Sequence, residues 1–228
     1  MRIAEIYQSR QGEGFLTGTA SVFVRASGCN LRCGFCDTPY TSWRPEGEDL
    51  PLEEILRQVA ACDAAHVVIT GGEPMLFAEL VPLCEALHDQ GKHITIETAG
   101  TLYLPVVCEL MSISPKLLNS TPTLAAAGPW RSRHEKSRHV PAVVRRLVRD
   151  YPHQLKFVID QPADCDEVAA YLAEFPEIDP ARVLLMPQGT DLATLARASA
   201  WLEPYCAQHG YTFCPRKHVE WFGFVRGT

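Results

Sequence analysis

Six short apolar runs recur along the chain, and each has the length and composition of a buried strand. They are rich in Val and Ile, and most lack strict alternation with polar residues, which is typical of parallel strands covered on both faces. The predicted strands span residues 21–27, 66–70, 93–98, 110–114, 155–159 and 183–187.

Helical patterns lie between most of these runs. One predicted helix begins just after Pro51, a residue that suits a first turn. Further helices are predicted over about 78–91, 164–175 and 191–210, the last with a kink or break at Pro204. Strands that alternate with helices predict an α/β fold whose active site lies at the carboxyl ends of parallel strands.

No internal repeat or linker divides the 228 residues, so we predict one domain that covers 1–228. The least regular stretch is 117–141. It is interpreted as a partly mobile insertion between the fourth and fifth strands.

Composition limits the cellular compartments in which this domain is expected. The chain is 46% hydrophobic and 21% charged, as is ordinary for soluble globular proteins. No apolar run approaches the roughly 20 residues of a membrane span, and the N-terminus lacks the apolar stretch of a signal peptide. We therefore expect a cytoplasmic protein with no membrane partner. In that compartment nine cysteines predict metal or redox chemistry rather than disulfides.

Charge is unevenly distributed along the sequence. The net charge of -6 argues against a nucleic-acid partner. Residues 130–149 run the other way, with seven Lys or Arg against one Glu. This stretch is either an ordinary solvated basic surface or a site for an anionic ligand or partner.

Three cysteines, Cys29, Cys33 and Cys36, directly follow the first predicted strand in a C-x3-C-x2-C pattern. Thiolates favour zinc, copper(I) or iron–sulfur clusters. On a [4Fe–4S] cluster, three cysteines leave one iron free to bind a substrate or cofactor. The spacing alone also fits a catalytic zinc with three protein ligands, or a structural zinc with a fourth ligand from elsewhere.

A second motif, Gly71-Gly72-Glu73-Pro74, follows the second predicted strand. Paired glycines let a ligand approach the backbone, and the Glu73 carboxylate can accept hydrogen bonds from an ammonium group. The two motifs together resemble the radical S-adenosylmethionine (SAM) superfamily. That resemblance implies a [4Fe–4S] cluster on the three cysteines and SAM chelated to the fourth iron. It also implies reductive cleavage of SAM to a 5′-deoxyadenosyl radical.

The fold implied by the resemblance is a partial (β/α)6 radical SAM barrel, with modified helical connections and extensions at both ends. A Gln-Gly-Glu-Gly segment at 11–14, followed by "FVRASGCNLRC" and "CDT", is similar to one family in particular, the 7-carboxy-7-deazaguanine synthases. Members convert 6-carboxy-5,6,7,8-tetrahydropterin to 7-carboxy-7-deazaguanine with loss of ammonia, on the route to queuosine and other 7-deazapurines. The similarity covers nearly the whole chain and is weakest over 117–141.

The resemblance also implies roles for individual residues. The implied substrate-binding residues are Arg10, Gln11, Gly12, Glu13, Arg25, Thr70 and His218. The implied SAM-binding residues are Phe35, Asp37, Gly71, Gly72, Glu73, Ser114, Pro115, Lys116, Met186, Pro187, Gln188 and Gly189. Thr38 falls at the position of a Mg²⁺ ligand.

Some of these residues have plainer interpretations. Arg25 suits a substrate carboxylate or a structural ion pair, Thr38 suits a helix cap, and Met186 suits the core. The resemblance further implies a homodimer and a flavodoxin or ferredoxin as reductant. Two alternatives remain open from sequence, namely a glycyl-radical-enzyme activase or another radical SAM enzyme, and a zinc-binding interaction module.

Overall fold

A nine-stranded sheet organises the protein, which we describe from a computed structural model of residues 1–228. The strands are β1 (Arg2–Arg10), β2 (Ala20–Ala26), β3 (Glu48–Asp49), β4 (His66–Gly71), β5 (His93–Thr98), β6 (Leu110–Ile113), β7 (His153–Ile159), β8 (Val183–Pro187) and β9 (Thr212–Phe213). Their order is β3-β1-β2-β4-β5-β6-β7-β8-β9. All pairs from β2 to β9 are parallel, whereas β1 is antiparallel to β2 and β3.

The six predicted strands are confirmed as β2 and β4 to β8, and their parallel arrangement agrees with a partial barrel. The sequence missed β1, β3 and β9. Strand β1 mixes charged and apolar residues and is mostly half-exposed, because its outer neighbour is only two residues long. The other two are too short to produce an apolar run.

Helices connect the strands. They are α1 (Pro39–Ser42), α2 (Leu52–Ala60), α3 (Leu80–Asp89), α4 (Leu124–Ala127), α5 (Trp130–Ser137), α6 (Pro141–Asp150), α7 (Pro162–Ala173), α8 (Leu192–His209) and α9 (Lys217–Phe222). The four predicted helices correspond to α2, α3, α7 and α8. No helix combines the length and apolar character that crossing a bilayer requires.

Of the kink or break predicted at Pro204, the break is wrong. Helix α8 continues through Pro204 and ends at His209, and the following Gly210 has the left-handed conformation that glycine adopts without strain. Leu202 and Cys206 lie on either side of the proline, and both are buried. Their packing against the core retains the helix despite the backbone hydrogen bond that proline removes.

The prediction of an irregular insertion over 117–141 is also wrong. The segment contains a 3₁₀ turn (Leu118–Ser120) followed by α4 and α5. The helical pattern is absent from the sequence of this segment because α5 buries only one side chain, that of His134. The helix is therefore attached to the rest of the protein by a polar residue, His134, and its sequence shows no apolar periodicity. Helix α6, by contrast, buries Val144 and Leu147, a spacing that sequence reasoning overlooked.

The central strands have two chemically different faces, because successive side chains point to opposite sides of a sheet. One face packs under the helices as the main apolar core, with residues such as Val24, Ile69, Ile96, Ile113 and Phe157. The opposite face lines a cavity with Phe23, Arg25, Thr70, Glu97, Ser112 and Lys156. Apolar packing therefore covers one face of these strands, and the other face is open to the cavity.

The two sequence motifs are joined through their backbones. The Gly72 N–H donates to the Ala26 carbonyl at 3.1 Å, and the Glu73 N–H donates to the Gly28 carbonyl at 2.8 Å. These bonds fix residues 70–74, the glycine motif, against residues 27–38, the cysteine loop. A Cβ on Gly72 would collide with the Gly28 carbonyl and lie 2.8 Å from the Thr41 carbonyl oxygen. Glycine is thus required here for close backbone approach.

We expect Gly72→Ala to lower the free energy of unfolding by about 1–3 kcal/mol, because backbone atoms would have to move. Gly34→Ala is the matched control, since its Cβ would meet only ordinary contacts, the nearest at 3.6 Å from Pro122 Cα. Urea unfolding followed by circular dichroism measures both. Equal stability of the two variants would contradict the close approach.

Candidate active site

A cavity of about 560 Å³ opens on the polar face of the sheet. Its volume is in the range of small-molecule and cofactor sites. Its wall includes most of the predicted site residues, namely Arg10, Gln11, Gly12, Glu13, Arg25, Cys29, Cys33, Phe35, Cys36, Asp37, Thr38, Thr70, Gly71, Gly72, Ser114, Lys116, Met186, Gln188 and His218. Four predicted residues, Glu73, Pro115, Pro187 and Gly189, do not line it.

The cysteine loop presents all three cysteines to this cavity. The Trp43 indole donates to the Cys33 carbonyl at 3.0 Å, and Cys36 Sγ lies 3.1 Å from Ser42 Oγ. Burial raises the pKa of the Cys29 thiol to about 11 and that of Cys33 to about 12. Both therefore stay protonated at neutral pH until a metal displaces the protons.

Three cysteine side chains therefore line one cavity of cofactor size. A [4Fe–4S] cluster is held by cysteine thiolates, so this donor set fits the cluster that the sequence resemblance implies.

Glu73 lies behind the cavity wall. Its carboxylate is fully buried and accepts hydrogen bonds from Met75 N, Thr98 Oγ1 and Ala99 N at 2.8–3.1 Å. Burial raises its pKa above the usual value. The expectation that this carboxylate meets an ammonium group does not agree with the placement. It instead fixes the glycine motif to the end of β5.

The residues after β6 and β8 reach the cavity unequally. Lys116 Nζ donates to Ser114 Oγ at 2.7 Å, and both side chains line the wall beside the cysteines. Pro115 turns away between them. At the end of β8, Met186 and Gln188 line the cavity, whereas Pro187, the last residue of the strand, and Gly189 do not.

The Glu13 side chain pairs with two buried cations. Lys156 Nζ bonds its Oε2, and Arg216 Nε donates to its Oε1 at 3.2 Å. All three side chains are largely buried, with 14%, 7% and 6% exposed respectively. Burial alone would raise the pKa of Glu13, but the two cations outweigh it and hold the pKa far below its usual range. Glu13 is therefore a carboxylate at any physiological pH.

Arg216 connects Glu13 to the rest of the site. One terminal nitrogen donates to Asp37 Oδ2 at 2.6 Å, and the other donates to the Gly189 carbonyl at 2.7 Å. Asp37 belongs to the cysteine loop and Gly189 to the turn after β8. One guanidinium thus joins three segments that are distant in sequence.

A second polar group lies beside Glu13. Glu97 accepts from Thr70 Oγ1 at 2.7 Å and from Gln11 Nε2 at 3.2 Å, and Lys156 Nζ lies 4.0 Å from it. The other amide atom of Gln11, Oε1, accepts the Glu13 N–H at 3.1 Å. These bonds set the orientation in which Gln11 and Thr70 face the cavity.

The position of Arg25 is compatible with both roles that sequence left open, a structural ion pair and binding of a substrate carboxylate. Its Nε donates to Glu5 Oε1 at 2.6 Å, and one terminal nitrogen donates to the Tyr7 hydroxyl at 2.8 Å. The structural ion pair is therefore present. The second terminal nitrogen makes no hydrogen bond, and the side chain still lines the cavity.

Thr38 occupies the N-cap position of α1, but its hydroxyl does not cap the helix. It accepts a 3.3 Å bond from Thr41 Oγ1, lies 4.0 Å from Cys36 Sγ and faces the cavity. The helix-cap interpretation of Thr38 therefore fails, although its backbone does form a turn, since the Thr41 N–H donates to its carbonyl at 2.9 Å. The hydroxyl remains available as an oxygen ligand at this point of the wall.

The C-terminal segment closes one side of the cavity. The Lys217 N–H donates to the Gly12 carbonyl at 3.0 Å, so that carbonyl is already engaged. His218 Nδ1 lies 3.8 Å from Glu13 Oε1, and burial lowers the pKa of its imidazole. Beyond α9, residues 224–228 also line the cavity, and Arg226 bonds Glu5 and Glu46, each at 3.0 Å.

Lys156 and Glu97 were missed in the sequence. Each interrupts an apolar strand, "LKFVI" and "HITIET", and a charged residue at such a position is a signal for a polar face. Arg216 stood out only through its neighbour His218. Its carboxylate partners, Glu13 and Asp37, cannot be identified from sequence, because they lie about 180 to 200 residues away.

Comparison with known proteins fits this site. A family model described as the Radical SAM superfamily matches residues 23–119. The 7-carboxy-7-deazaguanine synthase of Rhodopirellula baltica is 45% identical, over 99% of this chain and 88% of the relative. That of Halobacterium salinarum is 43% identical, over 95% and 88%. The chain belongs to the 7-carboxy-7-deazaguanine synthase family.

Membership of this radical SAM family makes the chain an enzyme that uses a [4Fe–4S] cluster and SAM. The crystal structure of QueE from Escherichia coli shares the fold, with a TM-score of 0.71 at 24% identity, covering 95% of this chain and 94% of that one. The zinc-binding module and the activase, both open from sequence, are not supported.

The Glu13–Lys156 pair gives a stability prediction. Lys156→Met should lower the free energy of unfolding by about 3–5 kcal/mol, since it leaves a buried carboxylate short of one cation. Adding Glu13→Gln should cost less than the sum of the single changes, because the two residues are coupled. Chemical denaturation of the parent, the two single variants and the double variant measures the four unfolding free energies of this double-mutant cycle.

The control for this cycle is Lys217→Met. Lys217 pairs with Glu220 on the surface, with both side chains more than a third exposed, so its loss should change stability little. Additive effects of Lys156→Met and Glu13→Gln would contradict the coupling.

Proposed function

We propose that the chain converts 6-carboxy-5,6,7,8-tetrahydropterin to 7-carboxy-7-deazaguanine with loss of ammonia, in 7-deazapurine (queuosine) biosynthesis. The observation that carries this proposal is one cavity lined by two chemically distinct sets of residues. One set is Cys29, Cys33 and Cys36, and the other is the Gln11–Glu13 segment with Arg25 and Thr70. The names of the relatives support the product.

When bound, the cluster and SAM supply the radical that abstracts a hydrogen atom from the substrate. The three cysteines would hold the cluster, and Gly71 and Gly72 would let SAM approach the backbone. Ser114 and Lys116 suit a ribose hydroxyl and a carboxylate, while Met186 and Gln188 would face the adenine. Phe35 and Asp37 complete the wall on the cysteine side.

On the substrate side, Glu13 is held as an anion and would accept hydrogen bonds from N–H groups of the pterin. The amide of Gln11 and the hydroxyl of Thr70 would bind the same polar edge, beside the backbone of Arg10 and Gly12. His218 approaches this edge as a neutral ring, because burial lowers its pKa. Arg25 would bind the substrate carboxylate through the terminal nitrogen that Glu5 and Tyr7 leave free.

Mg²⁺ would bind at Thr38, whose hydroxyl faces the cavity next to the cysteine loop. Magnesium prefers oxygen ligands and keeps several waters, so one protein oxygen together with a substrate carboxylate suits it. There the ion would orient the substrate and offset negative charge.

Four further features belong to this proposal. We propose a single domain, a cytoplasmic location, a homodimer, and a flavodoxin or ferredoxin as reductant. The location is supported by nine cysteines that all stand as free thiols.

The decisive experiment is a product assay on anaerobically reconstituted protein with SAM, Mg²⁺, a reductant and the carboxypterin. We expect 7-carboxy-7-deazaguanine and about four irons per chain. Cys33→Ala should lose the intact cluster and SAM cleavage together, as iron and sulfide analysis and chromatography would show. A parent enzyme with a full cluster that cleaves SAM but yields no deazaguanine would refute the proposed reaction.

The magnesium site has its own test. Thr38→Val should raise the Mg²⁺ concentration required for half-maximal product formation by about tenfold or more, because it removes the oxygen ligand. Thr38→Ser retains the hydroxyl and should respond to Mg²⁺ like the parent. If the valine variant keeps the parental Mg²⁺ dependence, the ion binds elsewhere.

A further inference from the structure

Helix α5 covers the side of the cysteine loop that faces away from the cavity. His134 Nδ1 accepts the Arg32 backbone N–H at 3.2 Å, and its Nε2 bonds Ser120 Oγ at 3.0 Å. The Gly34 N–H donates to the Ser120 carbonyl at 2.8 Å. Arg32 and Gly34 flank Cys33 in the loop, and neither lines the cavity. The helix therefore marks the outer approach to the cluster.

The outward surface of α5 is cationic and unneutralised. Arg131, Arg133 and Lys136 are exposed and make no ion pair. The single acidic residue of the helix, Glu135, is engaged by Thr121 and by Arg138. This concentration of positive charge lies on a chain whose net charge is -6.

The arginines of α6 differ in this respect. Arg145 pairs with Glu177, and both Arg146 and Arg149 pair with Asp150. The basic stretch of the sequence thus divides into two halves. Each α6 arginine has a carboxylate partner, with two carboxylates serving three arginines, whereas the exposed cations of α5 beside the cysteine loop have none.

Aromatic and apolar groups complete this surface. The Trp130 ring is contacted by the guanidinium groups of Arg32 at 4.0 Å and Arg133 at 5.1 Å from its centroid. Such stacking holds the two cations in place. Leu124, which is 67% exposed, and Arg131 line one shallow surface pocket between α4 and α5. An exposed apolar group beside cations is a common feature of surfaces that bind an acidic protein.

We propose that this surface, formed by Arg32, Leu124, Trp130, Arg131, Arg133 and Lys136 and here called the docking face, binds the acidic one-electron carrier protein that reduces the cluster. The carrier loses one electron, the cluster gains it, and no bond is made or broken in this step. The cavity side of the cysteines would be occupied by SAM and substrate, so the electron must arrive from the outer side. The proposal rests on the proposed function only in requiring a cluster that is reduced for turnover.

The test compares two triple variants with the same change in net charge. Arg131→Gln/Arg133→Gln/Lys136→Gln alters the docking face, and Arg145→Gln/Arg146→Gln/Arg149→Gln alters α6 as the control. An acidic flavodoxin is the probe, with dithionite as a small reductant that needs no docking surface. Flavodoxin binding by calorimetry and bleaching of the cluster absorbance in stopped flow are measured alongside product formation.

We expect the docking-face variant to bind flavodoxin and accept its electron at least tenfold more weakly and slowly at low salt, while the α6 control stays within about twofold of the parent. Added salt should slow the parent more than the variant, because screening removes the same attraction. Dithionite-driven turnover should be equal in all three proteins.

Equal losses in both variants, or no loss in either, would overturn the docking face. A parallel loss with dithionite would overturn it too, since the residues would then support the fold or the chemistry. If the parent makes no deazaguanine, the proposed reaction fails. The binding and bleaching measurements still decide the docking face in that case.

Discussion

The buried contact of Glu13 with Lys156 and Arg216 is the constraint on which the site depends. It joins a turn after the first strand, the middle of β7 and the segment after β9 at one point. Arg216 extends the connection to Asp37 in the cysteine loop. An unpaired charge at this depth would cost several kcal/mol, so the three segments hold one another in place. The cavity can therefore keep its shape although loops form most of its wall.

This constraint follows from the two faces of the sheet. The core face is apolar and buries no charged side chain, whereas the opposite face carries charges in the middle of strands. Lys156 alternates with Leu155 and Phe157, which are fully buried in the core. Such a strand is stable only if the buried cation on its cavity face, here Lys156, is paired. Glu13 is that partner. The substrate recognition proposed above and the stability of the fold thus draw on the same side chains.

The sequence predicted the fold class, the six parallel strands and the cysteine loop because each is encoded in neighbouring residues. It did not predict what depends on distant partners. The carboxylate of Glu73 was assigned to a ligand, yet its acceptors are filled by residues near the end of β5. Helix α5 was taken for an irregular insertion because a histidine rather than an apolar stripe attaches it. In both cases polar contacts between residues distant in sequence decide the structure, and the local pattern does not encode them.

The cysteine loop lies between two electrostatic environments that are kept apart. Toward the cavity, the charges of Glu13, Lys156 and Arg216 are largely paired with one another, so the site can receive a polar substrate without a strong net field. Toward the outside, Arg131, Arg133 and Lys136 of α5 have no carboxylate partner, although each arginine of α6 has one. His134 links the outer helix to the loop through neutral hydrogen bonds and adds no charge there, since burial lowers its pKa to about 4. An enzyme that takes an electron on one side and binds an organic substrate on the other benefits from this separation, because attraction of a protein partner then leaves the substrate side unperturbed.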